Sequence, residues 1–221
     1  MKRLINRRGR LAALTAATLA TAAVTVTVLS QGASATPAHS GPHYPAATPK
    51  VSRAVADTPY AKLPKVPSFS LKSTDVTTGK QLGKAQTSGN TSPQLSWKGF
   101  PKGTKSFVVS MYDPDAGTGS GFWHWAAYNL PASTTTLKSG AGAPGGAGLP
   151  AGTVQAPNDA GFAGFAGAAP PAGQTHRYFI TVYALDTDKV QLPPTASPAL
   201  LGASINSHTL ARGTLVPLAT G

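Results

Sequence analysis

Asp113-Pro114-Asp115-Ala116-Gly117 leads into Gly121-Phe122-Trp123-His124-Trp125-Ala126-Ala127-Tyr128-Asn129. An aspartate before proline starts a turn. The run after it is aromatic and alternating, too short for a helix and fit for a strand. Ser106-Phe107-Val108-Val109-Ser110-Met111-Tyr112 is the clearest strand before the turn. Period-two alternation predicts His124, Ala126 and Tyr128 on one face of the second strand, with Trp123, Trp125 and Ala127 on the other.

Working outward, Phe69-Ser70-Leu71 and Gln94-Leu95-Ser96-Trp97 predict shorter strands. His176 to Leu185 predicts one long strand, with His176, Tyr178, Ile180 and Val182 on a common face. Ser197-Pro198 is an N-cap followed by proline at the first helical position. It predicts a helix to about Ala211, ended by Gly213, then an edge strand at Leu215-Val216-Pro217-Leu218. Residues 139–152 and 158–167 are glycine-punctuated loops. With 24 glycines, 20 prolines and only 12% charged residues among 221, a turn-rich β protein is expected rather than a helical bundle.

Composition closes several routes. Cysteine is absent, so there is no disulfide and no thiolate chemistry. Glutamate is absent too, and all seven acids are aspartates. The formal charge is +12, but Lys2, Arg3, Arg7, Arg8 and Arg10 crowd the first ten positions. The other basic residues are scattered, without the basic stripe and interleaved aromatics of a nucleic-acid surface. No Gly-x-Ser-x-Gly elbow points to a serine hydrolase.

Residues 1–35 are expected to be an export signal. A cationic start precedes an apolar run from Leu11 to Leu29, and Ala33-Ser34-Ala35 offers small residues for cleavage near Ala35. Residues 36–65 are expected to be a Pro/Ala-rich linker, and residues 66–221 the folded domain. The mature protein would then be secreted or held at the cell surface. Membrane contact would be peripheral at most, since no amphipathic membrane helix is evident.

The chemistry concentrates in two stretches. The first supplies Asp113 and His124. The second, Gly167 to Tyr178, supplies Pro170, Pro171, Gly173, His176 and Tyr178. Imidazole N–H and phenol O–H groups suit the oxygens of a phosphate-like anion. An aspartate beside them can accept an imidazole N–H, fix the ring and favour its charged form. The Pro-Pro turn and its glycines allow close backbone approach. Each residue alone has an ordinary structural reading. Together they predict a small anion-binding pocket. The same His124, His176 and Asp113 also match the ligand set of a metal-dependent enzyme.

Several ordered blocks resemble the phosphatidylethanolamine-binding protein family, in its bacterial Raf-kinase-inhibitor-like branch. They are Ser92-Pro93-Gln94-Leu95-Ser96-Trp97, Asp113-Pro114-Asp115-Ala116, Phe122-Trp123-His124-Trp125, Asn158-Asp159 with Gly161 and Gly164, and Pro170-Pro171-Ala172-Gly173 before His176-Arg177-Tyr178. The resemblance spans about Val66 to Leu218. It implies an antiparallel β-sandwich with a C-terminal helix beside a small anion-binding pocket. It implies ligand-binding roles for Asp113, His124, Pro171, His176 and Tyr178, with Asp115, Pro170 and Gly173 structural at the rim. It implies a non-enzymatic protein without cofactor or metal, holding a phosphate-containing small molecule or phospholipid headgroup and able to modulate a protein partner. Inhibition of a secreted protease is the alternative within that resemblance. Gly117 stands where the family has proline, and Ala168 and Ala169 replace a pair such as Pro-Cys.

Overall fold

The computed structural model describes residues 58–221; the expected signal and most of the expected linker lie outside the described residues. Ten strands and one α-helix follow in order: β1 Ser70–Lys72, β2 Leu95–Lys98, β3 Ser106–Asp113, β4 Phe122–Pro131, β5 Thr136–Leu137, β6 Val154–Gln155, β7 Thr175–Arg177, β8 Phe179–Leu185, α1 Pro198–Ile205, β9 Thr209–Leu215 and β10 Leu218–Thr220. A five-stranded antiparallel sheet, β6-β4-β3-β8-β9, is the spine. A three-stranded sheet, β1-β2-β5, makes the second layer, and β10 pairs with β7 beside them. This is the expected antiparallel β-sandwich.

Burial follows alternation on both faces of the spine. Phe107, Val109 and Met111 of β3 face inward with Ile180 and Val182 of β8, against Leu71, Leu95 and Trp97 of the smaller sheet. Val108 of β3 with Ala126 and Tyr128 of β4 faces outward, under Leu201 and Ile205 of α1. The helix starts as expected: Ser197 Oγ accepts the Leu200 N–H at 3.2 Å, and Pro198 opens the first turn.

Its end differs from expectation. The helix stops at Ile205, a 3₁₀ turn covers Asn206–His208, and Thr209–Leu215 is a strand. β8 would otherwise leave a long open edge, and β9 pairs with it from Leu185↔Thr209 to Ile180↔Leu215. Gly213 is therefore not a helix terminator. It lies within β9, where a Cβ would meet a Phe69 ring carbon at 2.9 Å and Leu71 Cβ at 3.0 Å. The glycine lets the first strand pack directly on the sheet edge. The final strand begins at Leu218, later than expected.

The long strand expected from His176 to Leu185 is two strands. Tyr178 is the joint: β7 pairs with β10, β8 pairs with β3 and β9, and Tyr178 N–H donates to Pro217 O at 2.9 Å. The face assignment survives this break, for Tyr178, Ile180 and Val182 share the inner core.

The last residues of the stretch read as linker are fastened to the outer face of the spine. The Tyr60 ring meets Phe179 and Tyr183 edge-on at 5.8 and 6.3 Å, and its hydroxyl lies 2.7 Å from Thr181 Oγ1. The Arg212 guanidinium lies over the Tyr60 ring at 5.7 Å and donates to Pro64 O.

Candidate functional site

Asp113 is the last residue of β3, on the strand's inward side with Val109 and Met111. Only 2% of it is exposed. Its Oδ1 accepts the N–H groups of Asp115 and Ala116 at 2.8 and 3.1 Å. This is the turn that the Asp-Pro pair predicts. Its Oδ2 takes His176 Nδ1 at 2.7 Å. A carboxylate only accepts, so His176 carries a proton on Nδ1. His176 Nε2 meets Gln174 Oε1 at 3.0 Å. Gln174 Oε1 only accepts, so the geometry sets a donor at Nε2 as well.

His124 reaches the same end of the sandwich by a different route from the expected one. Met111 pairs with Trp125 and Tyr112 with Trp123, so His124 is an extra residue in β4. Such a bulge breaks alternation locally and re-aims one side chain. Trp123 moves to the outer face, where its ring lies 4.4 Å from that of Tyr112 and its side chain borders α1 with Ala126. Trp125 and Ala127 stay in the inner core. The expected grouping of His124 with Ala126 and Tyr128 is corrected. Those two lie under the helix, whereas the His124 ring stands edge-on to Tyr178 at 5.2 Å, on the inner side. Strict alternation would have sent His124 away from Asp113.

His124 Nδ1 lies 3.0 Å from Ala166 O. A carbonyl only accepts, so Nδ1–H donates and Nε2 of the neutral ring bears a lone pair. Burial lowers the His124 pKa from its ordinary value, more than the Ala166 carbonyl and the Asp113 charge raise it. Phe122 covers the ring, with centroids 4.8 Å apart.

Tyr178 is fully buried; its hydroxyl makes no hydrogen bond of regular geometry, and Asp113 is the acceptor it faces. Burial and the charge of Asp113 push its pKa well up, so the phenol keeps its proton. A buried O–H without a regular hydrogen bond is costly unless something completes it. Asp113, His124, His176 and Tyr178 are thus brought together.

The rim residues lie farther out. Gln174 N–H closes a turn on Pro171 O at 3.0 Å, with Gly173 at φ 76° in the position that requires a left-handed backbone. Pro170 is half-buried and Pro171 exposed. Asp115 holds Arg177 by its backbone N–H at 2.9 Å, Nε at 2.8 Å and Nη2 at 2.6 Å. Burial works to raise the Asp115 pKa, but the Arg177 contacts outweigh it and leave it lowered. Arg177 is backed by Phe179, 5.7 Å from its guanidinium carbon.

Two features escaped the sequence reading. Gln174 sits two residues before His176, so alternation already placed them on one face. Asp159 clamps a loop onto the bulged strand: its Oδ2 accepts Trp123 N–H at 2.8 Å, and its own N–H donates to Trp123 O at 3.1 Å. Asn158 holds the same loop from Gly164 O at 2.9 Å. As for the metal-site alternative, among the described residues no three His, Cys, Asp or Glu side chains are grouped to hold an ion.

The β-sandwich and its His/Asp/Tyr cluster define a ligand-binding protein of a known class. The chain matches the phosphatidylethanolamine-binding protein family profile over residues 72–219 and belongs to that family. It is 46% identical over 158 residues to the UPF0098 protein YbcL of Escherichia coli K12, covering 68% of this chain and 86% of the relative. It is 48% identical over 129 residues to YbhB of the same organism, covering 58% of this chain and 81% of the relative. The crystal structure of E. coli YbcL, described as a member of the mammalian PEBP family, superposes with a TM-score of 0.68 at 44% identity, over 70% of this chain and 99% of that one. A Chlamydia trachomatis homologue superposes at 0.60 with 26% identity, over 70% and 98%.

Proposed function

We propose that this protein is exported and holds a phosphate-like anion, free or as a phospholipid headgroup, at His124, His176 and Tyr178, without turning it over. The observation that supports the reading is the buried Tyr178 hydroxyl, which faces Asp113 without a regular hydrogen bond, beside two imidazoles that Asp113 and Ala166 orient. An anion oxygen completes that hydroxyl. Protonation of His124 at Nε2 turns a lone pair into a second donor. Asp113 is not available to repel the anion, since three N–H groups already engage it. Pro171 and Gly173 shape the mouth. Export by the N-terminal signal would place the site outside the cytoplasm, where phospholipid surfaces and small phosphate esters are both within reach. Modulation of a protein partner would follow from occupation of this site.

Calorimetric titration with glycerol phosphate at pH 5.5 and pH 8 tests the proposal. Binding at one equivalent, tighter at pH 5.5 and lost in Tyr178→Phe with His124→Ala, is the expected result. No binding at either pH removes the reading. Equal affinity at both removes the role of the His124 imidazolium.

A further inference from the structure

We infer that Gln174 is a displaceable cap on the anion site, which reserves His176 for acceptors stronger than an amide. The inference rests on the anion-binding reading above. His176 has two ring nitrogens, and both are occupied without ligand. Nδ1 is held by Asp113 at 2.7 Å inside the fold. Nε2 is the outward nitrogen, and Gln174 Oε1 occupies it at 3.0 Å. A ligand reaching for His176 must therefore take the place of an existing hydrogen bond.

The backbone of Gln174 is fixed while its side chain is not. Its N–H donates to Pro171 O at 3.0 Å, and its carbonyl accepts Gly221 N–H at 3.1 Å. β7 begins at the next residue. The residue itself is exposed, and the contact with His176 is the hydrogen bond that holds its side chain inward. Opening the site thus needs side-chain rotation about Gln174 and no loop movement, an event of the ps–ns class.

The chemistry of the cap sets a threshold. An amide oxygen and any other neutral acceptor make bonds of similar strength to the ring N–H, so a neutral ligand gains nothing by the exchange. A charged oxyanion makes a bond roughly twice as strong and wins it. The cap also keeps the outward N–H satisfied when the site is empty. The Tyr178 hydroxyl faces Asp113 without a regular hydrogen bond, so an incoming oxygen meets it with no amide cap to displace.

Three forms of the full chain test this: wild type, Gln174→Ala and Gln174→Glu. All three keep the buried residues, and the side chain altered is exposed. Inorganic phosphate is titrated by calorimetry at pH 6. Separately, ¹H–¹⁵N spectra of the imidazoles are recorded without ligand. Gln174→Ala is expected to bind phosphate about fivefold more tightly, the effect of removing one net hydrogen bond. Gln174→Glu supplies a charged cap and is expected to bind at least tenfold more weakly. In the ligand-free spectra, the His176 Nε2–H should exchange with water faster in Gln174→Ala than in wild type. Unchanged or weaker phosphate binding by Gln174→Ala overturns the inference, because Gln174 is then inert or part of the binding surface. Phosphate binding by none of the three overturns the anion-binding reading. The imidazole spectra still judge the cap in that case, and equal exchange in wild type and Gln174→Ala overturns it.

Discussion

Replacing Asp113 separates what holds the site together from what the site could bind. The carboxylate is buried and serves three donors at 2.7–3.1 Å. Asp113→Ala leaves all three without an acceptor. The His176 ring, 4% exposed, then carries a buried unpaired N–H. Removing one partner of a buried charged pair costs about 3–5 kcal/mol. The two backbone N–H groups sit in a half-buried turn, where water replaces much of what they lose. Total stability of a domain is about 5–15 kcal/mol, so the loss is a large fraction. For a chain of this size it lowers Tm by roughly 6–20 °C. Asp113→Asn behaves differently. Its amide oxygen still accepts from Asp115 and Ala116. Its NH₂ then faces His176, which accommodates it by giving up the Nδ1 proton and keeping the one on Nε2, where Gln174 Oε1 accepts. That change should cost about 1–2 kcal/mol and leave a neutral ring. Urea unfolding of the three proteins at pH 7, followed by near-ultraviolet circular dichroism, measures the difference. The reasoning fails if Asp113→Ala loses under about 1 kcal/mol, the worth of one ordinary hydrogen bond, or if Asn is as damaging as Ala.

Three other outcomes follow from named contacts. Burial holds the His124 pKa below its ordinary value, so the unfolded chain takes up this proton first as pH falls. The stability due to the neutral ring is complete above about pH 6.5, the ordinary imidazole value. It is lost as pH falls through the folded pKa. Wild-type urea midpoints should therefore drop between pH 7 and pH 5 more steeply than those of His124→Gln; parallel curves would contradict the shift. Tyr60→Phe should lose about 1 kcal/mol with the bond to Thr181, and Tyr60→Ala should lose more because its contacts with Phe179 and Tyr183 go too. Equal denaturation midpoints would show that the segment merely lies on the sheet. Gly213→Ala places a methyl against Phe69 and Leu71 and should cost about 1–3 kcal/mol by overpacking, measured by thermal unfolding.

Much of this was legible in the residues because alternation and turn chemistry are local. β3 and the body of β4 show their two faces directly, and the Asp-Pro turn places Asp113 at a strand end. His176 and Tyr178 share a face in the sequence and in the fold. Legibility fails where the decisive contact is distant. Whether Thr209–Leu215 continues a helix or joins a sheet depends on the open edge of β8, which no local pattern reports. Tyr60 looks like a spacer residue until Phe179, Tyr183 and Arg212 are assembled beneath it. His124 is the sharpest case. Alternation grouped it with Ala126 and Tyr128, which lie under the helix, and only the pairing of β3 with β4 shows that it turns the other way.

The extra residue in β4 has a consequence for anyone altering or transplanting this scaffold. Residue identity at Phe122-Trp123-His124-Trp125 is not enough to rebuild the cluster; the offset against Met111 and Tyr112 has to travel with it. Deleting one amino acid from that quartet would leave a tidier ribbon whose imidazole, if kept, looks out beneath the helix. Grafts chosen by matching side chains alone would thus yield well-folded but empty-handed copies.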